Sequence, residues 1–344
     1  MIRFSSDYTE GAHPSILSAL TETNYEQNPG YGEDSHCAHA AALIREACAA
    51  PDASVHFLVG GTQTNTIVIS SLLKPYEGVL CADSGHIHVH ETGSVEATGH
   101  KVLALPSRLG KISADQVRTA YENHIHDASF EHIVRPGMVY ISHPTEYGTL
   151  YTLDELTALS EVCHALGLPL FLDGARLGYG LASPETDVTL TDIAHLCDVF
   201  YIGGTKVGAL FGEAVVFPTP SLAKNFRYMI KRGGGMLAKG WLLGLQFEQL
   251  FSDGLYQKLG SHAVSLAFRI RDAFRENGFE FIMESPTNQQ FPILTQDQMD
   301  VLGKDFAYTL WEKVDAEKNA VRFCTSWATK EVDVEKLIDA IRAL

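Results

Sequence analysis

Residues 168–178 read LPLFLDGARLG, and residues 199–208 read VFYIGGTKVG. Each is a short apolar run that stops at a glycine turn, the first carrying Asp173 and Arg176 and the second Lys206. Runs of that length, bounded by turn residues, read as buried strands. Working outward, similar runs fall at 55–59, 79–82, 101–105, 137–142 and 214–217. Most are separated by helix-like patterns, such as 113–123 and 153–166. Strands alternating with helices predict an α/β fold with a mainly parallel sheet of seven strands, covered on both faces.

The Ala-rich stretch 36–50 has helical spacing and ends at Pro51. The run at 55–59 leads into GGTQTN and then a helical pattern through Leu73: strand, glycine turn, helix. After about residue 235 the pattern changes. Helical spacing covers 236–276, short strands are expected near 279–283, 290–294 and 320–324, and a last helix over 332–343. These patterns predict a large domain over 15–240 and a smaller α+β domain over 241–344, with residues 1–14 packing on the latter.

The 344 residues are 45% hydrophobic and 20% charged, an ordinary globular balance, with a net charge of −16. That charge opposes binding to nucleic acid. No apolar run is long enough to span a membrane, and the N-terminus has no apolar leader. The six cysteines are scattered, as expected of reduced core residues in a cytoplasmic protein.

Ligands of open α/β sheets bind beyond the C-terminal ends of the strands. Four features fall there. In FLVGGTQTN (57–65), glycines followed by a helix N-terminus suit a phosphate, although a plain turn would also explain them. Asp173 ends an apolar strand, where a carboxylate needs a cationic partner. One reading pairs it with Arg176 in a salt bridge; another gives it the protonated ring nitrogen of pyridoxal phosphate (PLP). Lys206 sits in a glycine-bracketed turn, where burial would lower its pKa and make it nucleophilic. In HIHVHE (86–91), three histidines would share one face of a strand, as metal sites require, whereas in a helix or loop they point apart. A single imidazole stacked on a flat cofactor is the more economical use. Together these give a phosphate cradle, a stacking surface, an acid for a ring nitrogen and a lysine for an aldehyde, with no metal.

The chain resembles the threonine aldolases of the β-eliminating lyase family, which are fold-type I PLP enzymes. The resemblance rests on SSDYTEGAHP (5–14), YGEDSHCAH (31–39), GGTQTN (60–65), His86 with Glu91, DGARL (173–177), GGTK (203–206), RGGGM (232–236) and VRFCTSW (321–327). It implies pyridoxal 5'-phosphate as cofactor, bonded to Lys206, with Asp173 on the ring nitrogen and His86 stacked on the ring. It implies Gly61, Thr62, Gln63 and Thr205 around the phosphate. Arg176 and Arg322 would bind the substrate carboxylate, with Ser6 nearby, and Arg176 would also border the cofactor. Tyr31 would reach a neighbouring subunit's site in a homo-oligomer, dimeric or commonly tetrameric. The implied reaction is cleavage of threonine, allo-threonine or a related β-hydroxy amino acid to glycine and an aldehyde. β-Elimination on another amino acid is the alternative. Many relatives have histidine where this chain has Glu146, so the base is left among His86, Glu146 and a water.

Overall fold

The computed structural model describes all 344 residues. The chain opens on a two-residue strand, β1 (Ile2–Arg3), and then builds its main sheet. The sheet strands are β2 (Ser54–Leu58), β3 (Glu77–Ala82), β4 (Val102–Leu105), β5 (Arg135–Ser142), β6 (Leu170–Asp173), β7 (Val199–Gly203) and β8 (Glu213–Phe217). Their order is β2-β8-β7-β6-β5-β3-β4. All neighbours are parallel except β8, which runs antiparallel to both β2 and β7. The expected seven-stranded, mainly parallel sheet is present.

Strands covered on both faces need apolar residues at consecutive positions. EGVLCA in β3, LFLD in β6 and VFYIG in β7 are buried throughout. On one face Leu80, Val139, Leu170, Leu172 and Phe200 join the helices Ser35–Ala47, Leu153–Leu166 and Trp241–Phe251 in one core. On the other, Val79, Met138, Phe171, Val199 and Tyr201 pack with the helices Gly61–Leu72 and Phe226–Arg232.

The C-terminal strands are β9 (Gln289–Gln290), β10 (Ile293–Thr295), β11 (Phe306–Ala307), β12 (Thr309–Lys313) and β13 (Lys318–Cys324). β13 pairs antiparallel with β9, β10 and β12. β1 pairs parallel with β11, Ile2 with Phe306 and Arg3 with Ala307. The core of this unit joins Phe4 to Leu266, Ile270, Phe274, Phe323 and Leu337.

The two cores meet within the helix Leu255–Glu276, not at residue 241. Tyr256, Leu259, Ala263 and Val264 belong to the large-domain core, while Leu266, Ile270 and Phe274 belong to the small one. The reason is close packing upstream. A Cβ on Gly244 would lie 2.5 Å from the Cys37 Cα, so the helix Trp241–Phe251 seats directly on Ser35–Ala47. The strand expected at 279–283 reduces to a single bridge between Phe281 and Pro292, whereas β12 was not expected.

Candidate active site

The sheet brings its chemistry to one edge. Ser142 is in register with Asp173, Gly203 with Glu213, and Leu58 also with Glu213. Because β8 runs backwards, its first residue arrives where β5, β6 and β7 end. A cavity of about 270 Å³ opens there, lined by Gly60, Gly61, Thr62, His86, Ser142, Glu146, Asp173, Arg176, Tyr201, Thr205, Lys206 and Glu213.

Asp173 is buried and accepts four hydrogen bonds. Tyr201 Oη (2.6 Å) and the Ala175 N–H (3.0 Å) donate to Oδ1; Tyr140 Oη (2.6 Å) and Asn65 Nδ2 (3.0 Å) donate to Oδ2. Burial alone would raise its pKa. The charge of His86 and these donors outweigh burial and hold the carboxyl below its ordinary value, ionised.

His86 opens a short helical turn, His86–Val89. Its Nδ1 lies 2.7 Å from Glu91 Oε1. Burial disfavours its protonation, but Glu91 and the Asp173 charge raise its pKa above the ordinary imidazole value. Glu91 is fixed in turn by Asn65 Nδ2 at 2.7 Å and Ser94 Oγ at 2.9 Å. Asn65 therefore ties the partner of His86 to Asp173.

Lys206 follows β7 in a turn shaped by Glu213. The Gly204 N–H donates to Glu213 Oε2 at 3.1 Å, and Thr205 Oγ1 donates to Oε1 at 2.9 Å. Tyr179 Oη donates to the Lys206 carbonyl. Burial and the Arg176 charge push the Lys206 amine below its ordinary pKa, toward the neutral, nucleophilic form. Burial likewise pushes Glu213 up to about 8.

A second cavity of about 770 Å³ shares Tyr8, His86, Glu146, Arg176 and Lys206 with the first and adds Tyr147, Trp311 and Arg322. Arg176 does not pair with Asp173. Its Nε (2.7 Å) and Nη2 (3.1 Å) fork onto Asp7, which also accepts from Asn288 Nδ2 at 2.9 Å. Burial would raise the Asp7 pKa; the Arg176 and Lys206 charges and these hydrogen bonds bring it down to about 2. Arg322 Nη1 donates to Gln289 Oε1 at 3.2 Å and Nη2 to the Ser5 carbonyl at 3.1 Å, with its guanidinium 5.1 Å from the Trp311 ring centroid.

The structure thus gathers His86, Glu146, Asp173, Arg176, Thr205, Lys206, Gly61 and Thr62 around one cavity and Arg322 at its outer compartment. Other expected residues are occupied elsewhere. Gln63 Oε1 accepts from the Val59 N–H and its Nε2 donates to the Gly233 carbonyl, so it braces the glycine loops. Ser6 lines neither cavity; its neighbours Ser5, Asp7 and Tyr8 make the contacts. Tyr31 lies on a separate cavity with Arg227 and Leu237, with Lys231 Nζ 4.9 Å from its ring centroid. His86, His88 and His90 fall on and just after one helical turn, and no three His, Cys, Asp or Glu side chains are grouped to hold a metal ion.

Sequence reasoning missed Asp7, Asn65, Tyr140, Tyr201 and Glu213. Two carried a signal. Tyr140 precedes Ser142 by two, so both share a strand face. Asn65 follows Gly61 by four, one helical turn on.

A family profile described as beta-eliminating lyase matches residues 4–296. A low-specificity L-threonine aldolase of a Pseudomonas species is 31% identical over 99% of this chain and 97% of its own length. One from Pseudomonas aeruginosa is 28% identical over 99% and 96%. The structure of a Leishmania major threonine aldolase superposes with a TM-score of 0.96 at 44% identity, covering 100% of this chain and 99% of that one. An aspartate aminotransferase of Thermus thermophilus, at 12% identity and a TM-score of 0.73, shares the fold over 100% of this chain and 92% of its own.

Proposed function

The chain belongs to the beta-eliminating lyase family, and on that premise we propose that it is a PLP-dependent aldolase cleaving threonine, allo-threonine or a related β-hydroxy amino acid to glycine and an aldehyde. One observation carries this reading. Two adjoining cavities that share Tyr8, His86, Glu146, Arg176 and Lys206 set a lysine and a buried carboxylate, Lys206 and Asp173, beside two arginines, Arg176 and Arg322.

The residues present fit PLP. The helix Gly61–Leu72 begins on the cavity with Gly60 as its cap and no side-chain acceptor for its first N–H groups, which suits a phosphate. A Cβ on Gly61 would stand 3.2 Å from Tyr201 Oη, so glycine keeps that approach open. Asp173, held ionised, suits a protonated pyridine nitrogen, and Lys206 suits the aldehyde. Bound there, PLP would supply the electron sink that accepts the pair released at Cα.

The chain's own residues do the rest. Glu91 and Asn65 lock the His86 ring in one orientation, so it offers a fixed flat surface. Asp7 takes Nε and Nη2 of Arg176, which leaves Nη1 for a substrate carboxylate. Arg322 has Nε unpartnered, though buried, in the same compartment. Two fixed guanidiniums set the amino acid's direction and so decide which Cα bond faces the electron sink.

Tyr31 is half exposed and stands apart from its own chain's Lys206 cavity. This supports the reading of a homo-oligomer in which it reaches a neighbour's site. The visible spectrum of the purified protein tests the cofactor: a band that shifts when glycine is added is expected. Incubation with threonine, allo-threonine and phenylserine should release aldehyde and glycine. Ammonia and a 2-oxo acid in place of aldehyde and glycine (2-oxobutyrate from threonine, phenylpyruvate from phenylserine) would overturn cleavage in favour of β-elimination.

A further inference from the structure

Glu146 lines both compartments, with Lys206 and Asp173 in one and Arg176 and Arg322 in the other. Its carboxyl is buried. Oε1 is pinned by two donors, the His86 N–H at 2.9 Å and Ser142 Oγ at 2.7 Å. Oε2 is buried and makes no hydrogen bond. One oxygen is therefore held in place by the fold and the other is left for chemistry. Burial pushes this acid's pKa above the ordinary carboxyl value, and the Asp173 charge adds to the shift. That brings it toward neutrality, where a general base works best.

The neighbours are less suited. Asp173 has both oxygens filled by four donors. Glu213 is tied to the Lys206 turn through both of its oxygens. His86 commits Nδ1 to Glu91.

We propose that Glu146 is the acid–base residue for the substrate's β-hydroxyl, receiving its proton on Oε2. This rests on the threonine-cleavage reading above. Oε2 takes the hydroxyl proton, and the O–H electron pair becomes the second bond of the aldehyde C=O. The Cα–Cβ bond breaks and its electron pair is left at Cα, for which bound PLP would supply the sink. A solvent proton then enters at Cα to give glycine, and Glu146 releases its own proton to water. No external oxidant or reductant is needed.

The test separates the hydroxyl step from everything else the site does. Glycine has no β-hydroxyl, yet its Cα proton can exchange with solvent through the same cofactor. Glu146→Gln keeps an acceptor for His86 and Ser142 but cannot take a proton. It should lower kcat/KM for threonine cleavage by about 10²-fold or more. Glycine Cα–H exchange in D₂O, followed by NMR, should stay within a few-fold of wild type, with an unchanged cofactor spectrum. Ser142→Ala unpins Oε1 and should reduce cleavage by a smaller factor, again sparing exchange; it serves as the second variant if the first folds poorly. Cleavage within a few-fold of wild type in Glu146→Gln overturns the proposal. So does a parallel fall of cleavage and exchange in both variants, since Glu146 would then only shape the cavity. Wild-type protein that exchanges glycine but releases no aldehyde from any β-hydroxy amino acid overturns the cleavage reading instead.

Discussion

The floor and the rim of the cavity are built from different kinds of chain. The floor is made of adjacent strand ends and their turns: Tyr140, Ser142, Asp173, Tyr201, Thr205, Lys206 and Glu213 all lie within β5–β8 or a few residues beyond. The rim is assembled from residues 5–8, Glu146 and Tyr147, the loop before β9, Trp311 on β12 and Arg322 on β13. Hydrogen bonding differs in step. Asp173 has both oxygens satisfied by the protein. Around the rim, Glu146 Oε2, Asn288 Oδ1, Gln289 Nε2 and Arg322 Nε are buried without partners. A fixed floor suits a resident cofactor, whose charges are always in the same place. A rim with spare donors and acceptors suits a ligand that comes and goes.

The contrast breaks first at Lys206. Lys206→Ala should leave the fold intact and abolish both turnover and the cofactor's visible band, read by spectrum and aldehyde release. Measurable wild-type turnover in that variant would remove the floor from the chemistry. Asp173→Asn comes next. It preserves shape and most hydrogen bonds but removes the negative charge. A drop in kcat of about 10²–10³-fold at saturating PLP is expected. A change of less than about fivefold would mean that the preset charge of the floor matters little.

Asp7→Asn probes the rim. It strips the countercharge from a guanidinium that is only 12% exposed. Breaking a buried pair from one side costs about 3 kcal/mol, read as a lowered denaturant midpoint. The sign with pH also follows. The Asp7 carboxyl is depressed from 3.8 to about 2 in the folded protein. Its stabilisation is therefore present above pH 3.8 and is lost as pH falls through about 2. Asp7→Asn should flatten the stability profile over that window. An unaltered acid limb would show that the pair with Arg176 does not shape it.

The same division governs what could be read from the sequence. Asp173, Thr205 and Lys206 of the floor were legible because each is marked locally by an apolar run, a glycine turn and one functional residue, whereas Tyr140, Tyr201 and Glu213 lie inside strands and carry no turn to mark them. DGAR, GGTK and GGTQTN each lie at a strand end, and alternation of strand and helix brings those ends together. Glu146 and Arg322 of the rim were expected, but its pairings were not legible because they join distant segments. Asp7 meets Arg176 across 169 positions and Asn288 across 281. Nothing near Asp7 in sequence marks it as a partner for either. β12 was missed for a related reason: TLWEK is largely exposed and lacks the apolar signature of a buried strand. With it went Trp311, which flanks Arg322. The helix Leu255–Glu276 serves both cores, so no change of composition marks the crossing from one to the other.

Arg322→Lys gives the smallest and most selective effect. Arg322 is placed by three different features of its planar group: Nη1 on Gln289, Nη2 on the Ser5 carbonyl, and its face toward Trp311. Lysine keeps the charge but has neither the fork nor the flat face, so it cannot hold all three contacts and still present a directed N–H. Losing one charge-assisted hydrogen bond to a substrate carboxylate costs about 1.5 kcal/mol. KM for threonine should therefore rise about tenfold, while kcat stays within about twofold and the cofactor spectrum does not move. That pattern would mark the rim as a binding device distinct from the floor. A fall in kcat at constant KM would tie Arg322 to the reacting centre instead, and the separation of floor from rim would fail at this residue.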